Sequence, residues 1–122
     1  LELPKISEDG AKQLETLTKQ GLKNRNKWNK EYWKRCKDEL EVINYHGFAD
    51  YFLIVRDYVT WAKENGIETG KGRGSVCNCL VAYAVGITEV DSIKYNLDFS
   101  RFMRKEKKSL PKLNWASFVN IA

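Results

Sequence analysis

The chain has 122 residues, of which 43% are hydrophobic and 30% are charged, and its formal net charge is +5. This length fits one domain, residues 1–122, and a folded chain of this size buries roughly two-thirds of its unfolded surface, so a packed core is expected. No run of about 18 apolar residues is present, which excludes a membrane-spanning helix and indicates that the protein has no membrane partner.

The cysteines indicate free thiols rather than a metal centre. Cys36, Cys77 and Cys79 are odd in number, and Cys77-x-Cys79 is tighter than the C-x-x-C pair of zinc sites. The single histidine, His46, lies far from them in the sequence. We therefore expect partly buried thiols in a reducing cytoplasm, with no metal bound.

Positive charge is concentrated in two stretches. Residues 19–37 carry eight lysines and arginines against Glu31 alone, and residues 101–112 carry six against one acidic residue. Such surfaces attract phosphates. A lysine-rich helix face that is merely solvated gives the same pattern, so both interpretations stay open. The candidate basic surface in the second stretch is Arg101, Arg104, Lys105, Lys107 and Lys108.

Three helices are predicted in the first half of the chain. The first follows a capping Ser7 or Asp9. The second spans about residues 30–44, and the third, the clearest, spans residues 49–65 and ends at Gly66, a typical C-terminal glycine. The apolar positions at helical spacing are Leu14, Leu17 and Leu22, then Trp33, Cys36, Leu40 and Ile43, then Phe52, Val55, Val59 and Ala62.

The second half predicts a mixture of elements. Residues 67–69 and 112–119 are candidate strands, and residues 76–85 are apolar on every side, which indicates a buried helix. Asp91 and Ser92 can cap a short segment that follows them. The predicted fold class is therefore α+β, mostly helical, with four to five helices and a small β-sheet.

The glycine segment, residues 70–75 (GKGRGS), is the candidate binding site. Its glycines allow backbone N–H groups to converge on an anion, and Ser75 can cap the next helix or donate its hydroxyl to a phosphate. Arg73 can add a bidentate contact. The spacing fits neither the Walker loop nor the G-x-G-x-x-G fingerprint, so a tight turn between a strand and a helix is the alternative.

Several ordered blocks carry a family resemblance. ELEVINYHGFADYFLIVRD, WAK, GKGRGSVCNCLVAY, GIT, YNL and RFMRKEKKSLP occur in the order found in the C-family bacterial DNA polymerases, the alpha subunit of polymerase III. The resemblance implies a palm of the nucleotidyltransferase type. It also implies that Gly72, Arg73, Gly74 and Ser75 bind the triphosphate of a nucleotide. Lys71 stands where the family has proline, and we expect it to add a positive charge to this phosphate-binding loop.

The sequence departs from this family after Pro111. There the family has metal-binding aspartates at alternate positions, which share one face of a strand, whereas this chain has Lys112, Asn114 and Ala116. None can act as an anionic ligand, and Lys112 would repel a divalent cation. We therefore expect no catalytic residues, no cofactor, no bound metal and no polymerase activity.

Three functions follow from these residues. The preferred one is a catalytically inactive polymerase-palm homologue that binds or inhibits, as a phage-encoded anti-defence or anti-host factor. Its target would be a phosphate, a nucleotide, a nucleic acid, a host polymerase component or another nucleic-acid-handling enzyme. The alternatives are a fragment or subunit of an active DNA polymerase III alpha and a nucleotide-sequestering module.

A truncated palm should also leave an apolar helix face exposed. The sequence offers Trp28, Trp33 and Trp115, or a partner, to cover it.

Overall fold

The computed structural model describes residues 9–67 and 74–105. These residues form four α-helices and two short 3-10 turns. None of the helices in these two ranges is long and apolar enough to cross a membrane. In chain order the elements are α1 (Asp9–Asn24), α2 (Lys30–Tyr45), α3 (Ala49–Glu64), the first 3-10 turn (Gly74–Asn78), α4 (Leu80–Ala84) and the second 3-10 turn (Phe99–Arg101).

The shortest helix, α4, lies at the centre of the packing. All five of its residues are buried, and it contacts both α1 and α2. Helix α1 also packs on α2 and α3. Helices α1 and α2 bury apolar faces on α4, whereas the apolar face of α3 packs mainly on α1. The largest fully buried apolar side chains are Leu14, Leu22, Ile43, Phe52, Val59, Leu80, Val81, Ile87, Phe102 and Met103.

The four α-helices end in the same motif. The residue after each C-cap has a positive φ, and the following N–H returns to the carbonyl five residues earlier. In α3 this residue is Gly66, so the prediction of a C-terminal glycine there is confirmed. The positive φ values are 60° at Asn26, 72° at Gly47, 70° at Gly66 and 89° at Gly86.

The prediction of an α+β fold with a small β-sheet is wrong, because residues 9–67 and 74–105 contain helices and turns and no strand. Ile67, the first residue of the predicted strand 67–69, donates its N–H to the carbonyl of Ala62 (2.8 Å) and so closes α3. Its N–H is therefore used by the helix end and is not available to a sheet. The rest of that strand and the strand 112–119 lie outside the described residues.

The buried helix predicted over residues 76–85 is divided in two. Cys79 has an extended backbone, with φ −101° and ψ 112°, and separates the first 3-10 turn from α4. The uninterrupted apolar pattern predicts burial correctly, but it contains no information about the break.

Asp91 joins the turn after α4 to α2. Its side chain accepts hydrogen bonds from Tyr32 Oη (2.7 Å) and from the backbone N–H groups of Ile93 (3.0 Å) and Lys94 (3.1 Å). Lys27 Nζ lies 3.4 Å away. The predicted capping role of Asp91 is thus confirmed. Burial alone would raise the pKa of Asp91, but these hydrogen bonds and Lys27 together lower it below its ordinary value.

Replacement of Asp91 by Asn should lower the free energy of unfolding at pH 7 by about 1–3 kcal/mol, because charge-assisted hydrogen bonds are lost. A carboxyl whose pKa is lowered by folding stabilises the fold above its unfolded pKa, and this contribution disappears as the pH falls through the folded pKa. Urea unfolding of both proteins from pH 7 to pH 2 checks this. The difference in free energy of unfolding between the two proteins should become smaller below pH 3.8, the ordinary pKa of an aspartate. The control is Asp57→Asn, an exposed pair with Arg56. A difference in free energy of unfolding that does not change with pH would contradict a lowered pKa of Asp91 in the folded protein.

Helix α3 exposes a row of apolar side chains, which agrees with the expectation of an exposed apolar helix face. Ile54, Tyr58 and Trp61 are 41%, 40% and 51% exposed. Trp28 and Trp33 lie instead at the junction of α1 and α2, with their ring centroids 5.4 Å apart. Trp115 lies outside the described residues.

Candidate phosphate-binding site

The structure describes only the end of the glycine segment. Gly74 and Ser75 begin the first 3-10 turn, and both are exposed. Gly74 has a φ of +74°, a left-handed conformation that favours glycine. Lys71, Gly72 and Arg73 lie outside the described residues, so their role in binding stays a prediction.

Three hydrogen bonds hold the 3-10 turn that follows the glycine segment. Asn78 Nδ2 donates to the carbonyl of Ser75 (2.9 Å), and Ser92 Oγ donates to the carbonyl of Cys77 (3.0 Å). Arg35 Nη2, from α2, donates to the carbonyl of Asn78 (2.7 Å). The chain that leaves the glycine segment is thus attached to both α2 and the turn around Ser92.

Glu39 of α2 is the buried charge of this region. Its carboxylate oxygens accept the backbone N–H groups of Leu80 (3.0 Å) and Val81 (2.8 Å), and Arg35 Nε lies 2.9 Å away. Cys79 Sγ donates to the same carboxylate (3.4 Å). Burial raises the pKa of Glu39, while the hydrogen bonds from Val81, Leu80 and Arg35 oppose that shift.

This arrangement changes the predicted role of the buried helix. The N-terminal amides of α4 that Glu39 binds are already occupied by the protein's own carboxylate, so α4 does not offer them to a phosphate. The helix cap is Cys79, whose Sγ accepts the N–H of Ala82 (3.4 Å), and the prediction that Ser75 caps this helix is wrong. An anion bound at the glycine segment would therefore need donors from that segment or from the first 3-10 turn, and not from α4.

Glu39 is not among the site residues predicted from the sequence, although its position on α2 carries a signal. Glu39 lies three residues after Cys36 and four before Ile43, on the apolar face of α2, and it is 1% exposed. A carboxylate in such a position needs buried donors. That requirement alone predicts a contact with unpaired backbone amides or an arginine.

The basic surface begins next to the first 3-10 turn. The second 3-10 turn, which ends at Arg101, contacts the first. Arg101, Arg104 and Lys105 are exposed. Lys105 forms an ion pair with Glu41 of α2, which reduces the charge available to a ligand. Lys107 and Lys108 lie outside the described residues.

Lys112, Asn114 and Ala116, which the resemblance places where the family has metal-binding aspartates, also lie outside the described residues. They provide no carboxylate, and the absence of a divalent cation there stays a prediction. Within residues 9–67 and 74–105, no group of three or more His, Cys, Asp or Glu side chains is placed to hold a metal ion.

The cysteines are free thiols, as predicted. Cys36 and Cys79 are buried and Cys77 is partly buried. Burial raises the pKa of all three thiols, which disfavours the thiolate form.

Comparison with known proteins identifies the family. Residues 12–115 match the model of the bacterial DNA polymerase III alpha NTPase domain. The chain is 51% identical to the DNA polymerase III subunit alpha of Aquifex aeolicus over 106 residues, which cover 83% of this chain and 9% of that protein. It is 48% identical to that of Ureaplasma parvum (83% and 11%) and 43% identical to that of Streptococcus pyogenes over 116 residues (93% and 11%).

The matched part is small relative to these proteins, since the chain spans about a tenth of the length of the curated relatives. The match nevertheless extends over most of the chain and includes most of α1, all of α2 to α4, the glycine segment and both 3-10 turns. The chain therefore belongs to the bacterial DNA polymerase III alpha family and corresponds to a fragment of its NTPase domain.

Proposed function

We propose that the chain is the part of a DNA polymerase III alpha subunit that holds the triphosphate of an incoming nucleotide. The observation that carries this proposal is the match over residues 12–115, which includes the whole glycine segment. Gly72, Arg73, Gly74 and Ser75 would bind the phosphate oxygens through backbone N–H groups, a guanidinium and a hydroxyl.

The described geometry supports this proposal through what surrounds the segment. The hydrogen bonds of Arg35 and Asn78 and the carboxylate of Glu39 fix the chain immediately after Ser75. A loop with one fixed end loses less conformational entropy when it closes on a ligand. The adjacent Arg101 adds positive charge on the neighbouring turn.

Catalysis by this chain alone is not part of the proposal. Lys112, Asn114 and Ala116 cannot hold the cations that polymerase chemistry needs, so binding is expected without nucleotide transfer. Lys71 and Lys112 would contribute the positive charge that balances the phosphates. Of the functions that the sequence left open, the comparisons favour a polymerase fragment over an inhibitory or phage-derived factor.

Arg73→Ala should weaken the binding of a deoxynucleoside triphosphate about tenfold, because a charged hydrogen-bond donor to phosphate is removed. Isothermal titration calorimetry with dATP measures this, with Arg56→Ala on α3 as the control, because Arg56 pairs with Asp57 and belongs neither to the glycine segment nor to the basic surface. Magnesium should change the affinity little. Absence of binding to the unmodified chain, with and without Mg²⁺, would reject the proposal.

A primer-extension assay tests the catalytic part separately. The purified chain should not extend a primed template with Mg²⁺ present. Extension would show that the substituted positions are not essential, whereas the binding proposal would still stand.

A further inference from the structure

A second positively charged surface lies where the end of α1 meets the start of α2. We define the lysine–tryptophan surface as Lys19 and Lys23 of α1, Trp28 of the connecting loop and Trp33 of α2. It uses no residue of the glycine segment. It belongs to residues 19–37, which contain eight lysines and arginines and only one acidic residue.

The two rings and the two ammonium groups form one continuous cluster. The ring centroids of Trp28 and Trp33 are 5.4 Å apart with an interplanar angle of 46°. Lys23 Nζ lies 5.0 Å from the Trp28 centroid, and Lys19 Nζ lies 5.1 Å from the Trp33 centroid. Trp28 is 44% exposed, so it contributes little to the core. Trp33 is partly buried, and Lys19 also pairs with Glu15 of α1 (3.8 Å), although both of these charged side chains are nearly half exposed. The cluster therefore presents aromatic surface, mainly of Trp28, together with the positive charge of Lys23 and Lys19.

A row of lysines extends this cluster along α2. Lys30, Lys34 and Lys37 are exposed and follow each other at spacings of four and three residues, so they share one face of the helix. At 1.5 Å per residue the row is about 10 Å long. Trp33 is three residues from Lys30 and four from Lys37 and lies beside the row. Only Lys34 has a described ion pair in this row, with Asp38, and both partners are strongly exposed.

This combination fits single-stranded nucleic acid better than other polyanions. Exposed bases stack on aromatic rings, while the phosphates between them need mobile cations. Duplex DNA hides its base faces, so it would use the lysines and gain nothing from the rings. The lysines that cover the rings have flexible four-carbon stems, so their ammonium groups can move to a phosphate when a base takes their place.

We propose that the lysine–tryptophan surface binds single-stranded DNA, with bases stacked on Trp28 and Trp33 and phosphates bound by Lys19, Lys23 and the lysine row of α2. This inference does not rest on the proposed binding of a nucleotide triphosphate, because the two sites share no residue.

The test is fluorescence anisotropy of a labelled oligothymidine titrated with the full chain at several salt concentrations. Trp28→Ala should weaken binding about tenfold, as expected for one lost stacking contact. Lys23→Ala should weaken binding and reduce its dependence on salt. Matched controls are Trp61→Ala and Lys63→Ala on α3, an exposed tryptophan and an exposed lysine outside the surface, which should change neither.

Two further arms separate the outcomes. Oligouridine that binds as well as oligothymidine supports a single-strand site indifferent to the sugar, and weaker binding to oligouridine supports one that selects DNA. Duplex DNA that binds as tightly as the single strand, with no effect of Trp28→Ala, would overturn the proposal. Thermal unfolding of each variant confirms that it is folded, and dATP binding by Trp28→Ala should be unchanged.

Discussion

Replacement of Gly21 by alanine is expected to destabilise the fold by about 3 kcal/mol, although the same change in most helix interiors stabilises a protein. A Cβ atom at position 21 would lie 1.8 Å from the carbonyl oxygen of Ala84 and 2.7 Å from its carbonyl carbon. Both are backbone atoms of Ala84, the last residue of the buried helix α4. They cannot rotate away, so α1 and α4 would have to separate and loosen the packing around both.

Chemical denaturation of Gly21→Ala and of the unmodified chain measures this effect. Gln20→Ala is the matched control, because it changes the adjacent, exposed position of α1. Without the contact, the higher helix propensity of alanine would raise the free energy of unfolding by about 0.5–1 kcal/mol. The sign of the change in free energy of unfolding therefore tests the close contact. A stabilised Gly21→Ala protein would show that α1 and α4 do not approach this closely.

The helices of the first half could be predicted from the sequence because they obey local rules. Apolar residues at helical spacing predicted α1 and gave α2 and α3 nearly to their ends, and the position of Gly66 marked the end of α3. These features depend on side chains within one turn of each other. The prediction that Asp91 caps a turn succeeded for the same reason, because its backbone partners are two and three residues away.

The errors concern contacts between residues far apart in the chain. The close approach of Gly21 to Ala84 leaves no periodic signal. The break at Cys79 is stabilised by Glu39, forty residues earlier, whose carboxylate takes the N–H groups that a continuous helix would have used. The sheet was predicted from short segments whose composition suits a strand. Ile67 shows how a β-branched residue can serve to close a helix instead.

The candidate site was predictable to a similar degree. The glycine segment and the positive charge were visible in the residues, and the family resemblance identified the domain that the comparisons then confirmed. The residues that support the segment could not be predicted, because they are an arginine and a carboxylate of α2 and the spacing of that helix predicts only an apolar face.

Replacement of Glu39 by alanine is expected to lower the free energy of unfolding by about 3–5 kcal/mol, because it leaves a partly buried arginine and buried backbone donors without their acceptor. The N–H groups of Leu80 and Val81 and the guanidinium of Arg35 all converge on this carboxylate. Glu39→Gln should have a smaller effect, since its amide oxygen can still accept some of these bonds.

The adjacent residue provides a matched control. Asp38 pairs with Lys34 at 3.3 Å, also at helical spacing, but both side chains are more than half exposed. Asp38→Ala should therefore change the free energy of unfolding by less than about 1 kcal/mol. Equal effects at positions 38 and 39 would contradict the buried network.

The same variants connect stability with the proposed site. Arg35 binds both Glu39 and the carbonyl of Asn78, so the loss of Glu39 should release the chain that follows Ser75. Glu39→Gln, measured at a temperature where it remains folded, should bind dATP more weakly than Asp38→Ala, although neither residue contacts the glycine segment directly. Unchanged affinity in a folded but destabilised Glu39→Gln would show that the glycine segment holds its conformation without support from α2.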